Sequence, residues 1–159
     1  FQLIRSLFEE RKVAATLSGP WSEQETDEYL RTTGVPVRLA CVGSDGFPRV
    51  VSLWYRYEAG NLYCVPHQSS KIASLLLADA RVGFEVSPNE PPYCGVRGQG
   101  VVTLEPLGQS PMLQQLLDRY LGDADSDLGS WLLSRSAEEL LVKIQPSRLF
   151  TWDYRQRMA

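Results

Sequence analysis

The sequence predicts a mainly β fold with interspersed helices: an α+β domain built on a closed antiparallel barrel. Three observations predict it. About six or seven segments read as strands, with period-two alternation or a run of β-branched and aromatic residues, and turns rich in Gly, Asp and Asn set several of them apart. The helical segments are inserted between strands and do not alternate with them as parallel crossovers would. The chain has 159 residues, 43% hydrophobic and 22% charged, which suits one core and is too apolar for a disordered chain.

The elements follow in order. Leu3, Ile4, Leu7 and Phe8 recur at helical spacing, a short amphipathic stretch able to lie as an arm on a partner. Ser22 and Glu25 form a capping box, which predicts a helix to about Thr32, stopped by Gly34 and Pro36. Residues 1–35 are thus an N-terminal helical segment and 36–159 the barrel, within a single domain overall. Val37, Leu39 and Cys41 alternate with Arg38, Ala40 and Val42 in a strand over 36–43. Gly43 to Gly46 turns the chain into a second strand over 47–57, rich in aromatic and β-branched residues. After a turn at 58–61, residues 62–65 form a third strand, and the three would make an antiparallel meander.

Ser69 or Ser70 caps a helix over 70–79 that turns Ile72, Leu75 and Leu76 inward. A strand over 81–87 follows, then a stiff loop from Pro88 to Pro92, then a long strand over 93–105 loosened by Gly95, Gly98 and Gly100. Ser110 caps and Pro111 opens a helix carrying Leu113, Leu116, Leu117, Tyr120 and Leu121, stopped by Gly122. Residues 125–136 predict another short helix, and 139–145 and 148–153 a final strand pair parted by Pro146.

Composition excludes several functions. Net charge is −3, which argues against a nucleic-acid binder driven by bulk positive charge. No apolar run approaches the ~20 residues of a membrane span, and no signal-peptide pattern opens the sequence. Cys41, Cys64 and Cys94 form no C-x-x-C pair and sit in apolar surroundings, which predicts buried free thiols of a reducing compartment and a cytoplasmic location. His67 is the one histidine, so a histidine-rich zinc site is impossible within one chain and no metal is expected. No G-x-S-x-G elbow accompanies it.

The informative segment is His67-Gln68-Ser69-Ser70-Lys71, between a strand and a helix. A helix start exposes unpaired N–H groups, and two hydroxyls and an ammonium converge on it, as an anion site requires. Elsewhere the expectation is structural. Trp54, Tyr55 and Tyr57 read as barrel wall, Trp21 and Trp131 as helix packing, His67 as a surface residue, and Glu9, Glu10, Glu138 and Glu139 as solvated helix faces.

The run from Arg38 to Tyr57, with Asp45-Gly46-Phe47-Pro48 at its turn, resembles the opening strands of the pyridoxamine 5′-phosphate oxidase-like flavin-binding split barrels. Leu62 to Val65, Ser69-Ser70-Lys71, Asp79 to Val86, Gly95 to Gly100 and Ser147 to Tyr154 are similar to further motifs of that family, in the same order. The likeness covers about 36–154 and implies an antiparallel split β-barrel of the FMN-binding type.

It also implies a homodimer with FMN in clefts at the interface, acting as an oxidoreductase on a small-molecule substrate. Ser69, Ser70 and Lys71 would hold the phosphate, with Arg49 or Arg56 as a second cation. Val51, Ser52 and Leu53 would run along the isoalloxazine edge, and Val65 and Pro66 under the ring or ribityl chain. Gly95, Arg97 and Trp152 would approach from the partner. Segments 88–94 and 123–135 would shape the cleft facing the ring. The catalytic residues stay unknown.

The family's vitamin B6 oxidases carry Arg where this chain has Val51, Arg-Lys at Ser70-Lys71, Tyr-Thr at Cys64-Val65 and a glutamine at Gly95. Vitamin B6 oxidation is therefore not expected. Two alternatives stay open: a deazaflavin-dependent reductase, with Arg49, Arg56, Lys71 and Arg97 lining a basic groove, and a non-enzymatic flavin-binding or regulatory dimer.

Overall fold

A computed structural model describes residues 14–122 and 125–159. The amphipathic stretch at 3–8 lies outside the described residues. The chain forms a mostly antiparallel sheet curled into a half-barrel. In chain order the elements are β1 Thr16–Ser18, α1 Glu23–Thr32, β2 Val37–Val42, β3 Pro48–Leu53, β4 Arg56–Glu58 and β5 Asn61–Cys64. Then come α2 Lys71–Ala78, β6 Arg81–Val86, β7 Cys94–Pro106, α3 Met112–Leu121, α4 Asp127–Ser134, a 3₁₀ turn at Ser136–Glu138 and β8 Leu140–Asp153.

The local signals read in the sequence form as expected at several places. Ser22 accepts from the Glu25 N–H while Glu25 accepts from the Ser22 N–H, so the capping box closes α1. Ser70 caps α2. Gly122 ends α3 in the left-handed region at φ 70°, where a glycine carries no Cβ penalty.

Three expectations change. The segment 47–57 is not one strand. The sheet order is β3-β2-β6-β7-β8-β5-β4, so β3 and β4 lie at opposite ends of the sheet. The chain leaves one edge at Leu53, crosses through Trp54 and Tyr55, and enters the other edge at Arg56. The meander is therefore two hairpins, β2–β3 and β4–β5, joined by a crossover. Tertiary contacts at Tyr55 break the strand. Its side chain is fully buried and its hydroxyl donates to the Leu30 carbonyl at 2.8 Å. Its backbone N–H donates to the Tyr120 hydroxyl at 3.2 Å, in place of a ladder partner.

The final strand pair is one continuous strand. Pro146 sits inside β8 opposite Gly100, at a register shift between Gln99 and Gly100. An irregularity tolerates a residue without an N–H, so the proline does not end the strand. A Cβ on Gly100 would lie 2.2 Å from the Gln145 carbonyl oxygen, which is why a glycine stands there. Last, β1 was not foreseen; it pairs in parallel with the second half of β8, from Thr16 on Arg148 to Ser18 on Phe150.

The core fills the barrel with Leu39, Phe84, Val96, Val142, Ile144 and their neighbours. A second cluster joins Leu113, Leu116 and Leu117 of α3 to Trp54, Val65 and Leu141 outside it. Trp54 stacks on Tyr120 at 5.3 Å, so it packs as expected. Trp131 does not: it is exposed, and the Arg135 guanidinium covers its ring at 4.6 Å. All three cysteines are free and buried, and burial pushes the Cys64 thiol up to about 12. Among the described residues no helix is long and apolar enough to cross a membrane.

Tyr120→Phe should lower unfolding free energy by about 1–3 kcal/mol in chemical denaturation, because it strands the backbone polar groups of Tyr55 in a partly buried site. Gly100→Ala should destabilise by roughly 1–3 kcal/mol or more through its clash with the β8 backbone. Gly34→Ala, with open space around it, should leave the melting temperature nearly unchanged.

Candidate functional site

The site is built where β5 hands over to α2. The connecting turn is stitched to the segment before β8: Gln68 N–H donates to the Glu138 carbonyl at 2.8 Å and Leu140 N–H to the Pro66 carbonyl at 2.9 Å. This fixes the start of α2. Ser70 Oγ accepts from the Ala73 N–H at 3.2 Å, while the first-turn N–H groups of Lys71 and Ile72 have no acceptor within the helix. The Lys71 side chain is exposed and makes no ion pair or hydrogen bond with the described residues.

Ser69 is less free than the sequence implied. Its hydroxyl lies 2.7 Å from His67 Nδ1, and its backbone N–H donates to the same nitrogen at 3.1 Å. A backbone N–H can only donate, so Nδ1 is the acceptor and the proton sits on Nε2. Nε2 lies 3.3 Å from Glu138, consistent with that tautomer. His67 is thus a positioned, half-buried group and not a loose surface side chain.

Beside this turn a cleft of about 310 Å³ opens. Ser52, Leu53 and Trp54 form one wall, Val65 and His67 a second, and Leu113, Leu116 and Leu132 a third; Arg135 and Glu139 complete it. Of the expected segments, 123–135 contributes Leu132 and Arg135, and none of 88–94 lines the cleft.

Glu139 overturns its reading as a solvated helix residue. It is 6% exposed and forms an isolated bridge with His67. Its carboxylate makes no hydrogen bond or ion pair with the described residues. Desolvation raises its pKa above the usual carboxylate range, opposed by the charge of Arg135 and assisted by that of Glu138.

Of the remaining candidates, Ser52, Leu53 and Val65 line the cleft and the others fall elsewhere. Gly95 and Trp152 are register partners on β7 and β8, and a Cβ on Gly95 would meet the Trp152 ring at 2.9 Å. Arg97 lies over Phe150 at 4.5 Å and faces Trp152 at 5.8 Å, so the three share one sheet face. Val51 and Leu53 pack against the core, leaving Ser52 exposed on edge strand β3. Pro66 is buried. Arg49 is held by Asp45 at 2.8 Å, and Arg56 lies 3.5 Å from Glu58 with its Nε buried and unbonded. Lys71 is therefore the unengaged cation of the expected phosphate set. Sequence reasoning missed Glu139 and the α3 wall, while Arg135 lies in the segment expected to shape the cleft. No sequence signal marked Glu139, because alternation along β8 would leave it in solvent.

No family model and no curated protein matches the chain. Solved structures do. A conserved hypothetical protein from Mycobacterium tuberculosis aligns with TM-score 0.73 at 24% identity, over 87% of this chain and 88% of that one. A FAD-binding protein from Mesorhizobium loti aligns with TM-score 0.59 at 25% identity, over 81% and 92%. An F420 reductase aligns with TM-score 0.63 at 21% identity, over 77% and 94%. The structural neighbours are pyridoxamine 5′-phosphate oxidase-like split-barrel proteins, and this chain has their fold.

The raised Glu139 pKa sets a pH dependence. The folded state keeps this proton over a range where the unfolded chain has lost it, so stability falls as pH rises from about 4.5 through the folded value. Denaturation of the native protein and Glu139→Gln across pH 4 to 8 should show the balance shifting toward the glutamine variant as pH rises.

Proposed function

We propose that the protein is an FMN-dependent oxidoreductase, a cytoplasmic homodimer that holds flavin between two copies and acts on a small molecule. The observation that carries this reading is the unengaged Lys71 ammonium beside the open N–H groups of α2. An exposed cation and oriented donors suit a phosphate, and the rest of the set fits around them. The flavin, when bound, supplies hydride transfer. Lys71 and the Ser70 turn would bind its phosphate. Edge strand β3 leaves backbone polar groups unpaired along Val51 to Leu53, which would orient the ring. Val65 would pack against it and help exclude water.

The dimer reading rests on the outer sheet face. Val50 is 65% exposed, and Val42, Val101 and Phe150 are exposed as well. Covering them with a second copy would bury apolar area and bring Gly95, Arg97 and Trp152 to the other subunit's cofactor.

One observation favours the deazaflavin reading. Arg97, Arg148, Gln99 and Thr16 line a groove of about 560 Å³ beside β1, and two cations there suit a long acidic tail. Parallel affinity measurements with FMN and the deazaflavin coenzyme separate the two.

Lys71→Ala should weaken FMN binding by about 10- to 150-fold in a fluorescence-quenching titration, the loss of one charge-assisted contact of roughly 1.5–3 kcal/mol. Unchanged affinity would place the phosphate elsewhere.

A further inference from the structure

The cleft between Trp54, His67 and α3 holds one polar group that nothing in the fold explains. Glu139 is nine-tenths buried, lines the cleft, and has no hydrogen-bond or ion-pair partner among the described residues. Its neighbours are already engaged. Arg135 lies 3.7 Å from Glu138 and over the Trp131 ring. His67 accepts from Ser69 on one nitrogen and faces Glu138 with the other. Of the two ionisable carboxylate and guanidinium groups that line the cleft, Arg135 is paired with Glu138 outside it, which leaves Glu139 without a partner among the described residues. A carboxylate on the wall of a mostly apolar cleft, in a residue only 6% exposed and with no such partner, carries a desolvation cost that the fold does not repay. Apart from this polar end, the walls are Leu53, Trp54, Val65, Leu113, Leu116 and Leu132.

We propose that this cleft binds small molecules carrying one protonated amine on an apolar body, with Glu139 receiving the ammonium. The volume, about 310 Å³, is at the small end of ligand sites. An ammonium supplies the partner that Glu139 lacks, and the apolar body covers the leucines and Trp54. The inference deepens the flavin reading by naming a substrate class, and rests on it only for the reaction that follows binding: the ring would lie against Ser52, Leu53 and Val65, and the amine beside it at the end formed by Trp54, Leu113, Leu116 and Glu139.

The test is isothermal titration at pH 7 of the protein as purified, with phenethylamine and with 2-phenylethanol, its neutral counterpart of similar shape. Phenethylamine should bind at least about tenfold more tightly, and Glu139→Gln should abolish that preference while the alcohol binds as before. Equal affinities for the two compounds, no binding of either, or an unchanged preference in Glu139→Gln would overturn the proposal. Should that variant fail to fold, the comparison on the native protein decides alone. FMN uptake is measured separately by absorbance. Selective amine binding without flavin uptake would remove the flavin reading and leave this one standing; flavin uptake with no amine preference would do the reverse.

Discussion

The two-residue crossover at Trp54 and Tyr55 is the constraint on which the rest of the structure depends. A polypeptide that leaves one edge of a sheet and enters the other must pass through residues with no ladder partner, and buried peptide groups without partners are costly. Here the Tyr120 hydroxyl accepts from the Tyr55 N–H and lies 3.2 Å from its carbonyl. The Tyr55 side chain reaches the Leu30 carbonyl at the end of α1. Arg119 donates to the carbonyls of Arg31 and Thr33 at the same helix end, where a cation complements the dipole. One turn of α3 thus satisfies both the crossover and the C-terminus of α1.

That arrangement also creates the cleft. To place Tyr120 against Tyr55, α3 must lie outside the barrel over the second face of β5 and β8, where its leucines meet Trp54, Val65 and Leu141. The same helix shelters the start of β8. Glu139, at a position that alternation alone would leave in solvent, is enclosed without acquiring a partner. A carboxylate beside a cleft and a lysine beside open helix donors are both arrangements that a stability argument would not select. They mark where this fold departs from its own packing logic.

The two regions are continuous. Val65 lines the cleft and leads through Pro66 and His67 into the Ser70 turn, and the turn is tied to Glu138 and Leu140 by backbone hydrogen bonds. His67 sits at the junction with its tautomer set by the Ser69 N–H. Displacement of the segment before β8 would move both the Ser70 turn and the Glu139 carboxylate, so the two should respond together.

Local chemistry was readable directly. The capping box at Ser22 and Glu25, the Ser70 cap, the glycine stop at Gly122 and the burial of the three cysteines each depend on residues within a few positions, and each formed as read. The order of motifs from Arg38 to Tyr154 carried the fold class. Tertiary structure decided the rest. Period-two alternation cannot show that residues 47–57 serve two edges, because the break at Tyr55 is made by Tyr120, sixty-five residues later. Nor can it show that Pro146 stays inside a strand, since its tolerance depends on Gly100 across the ladder. Glu139 followed the same rule: alternation names two faces of a strand, but only the placement of α3 determines that both are covered.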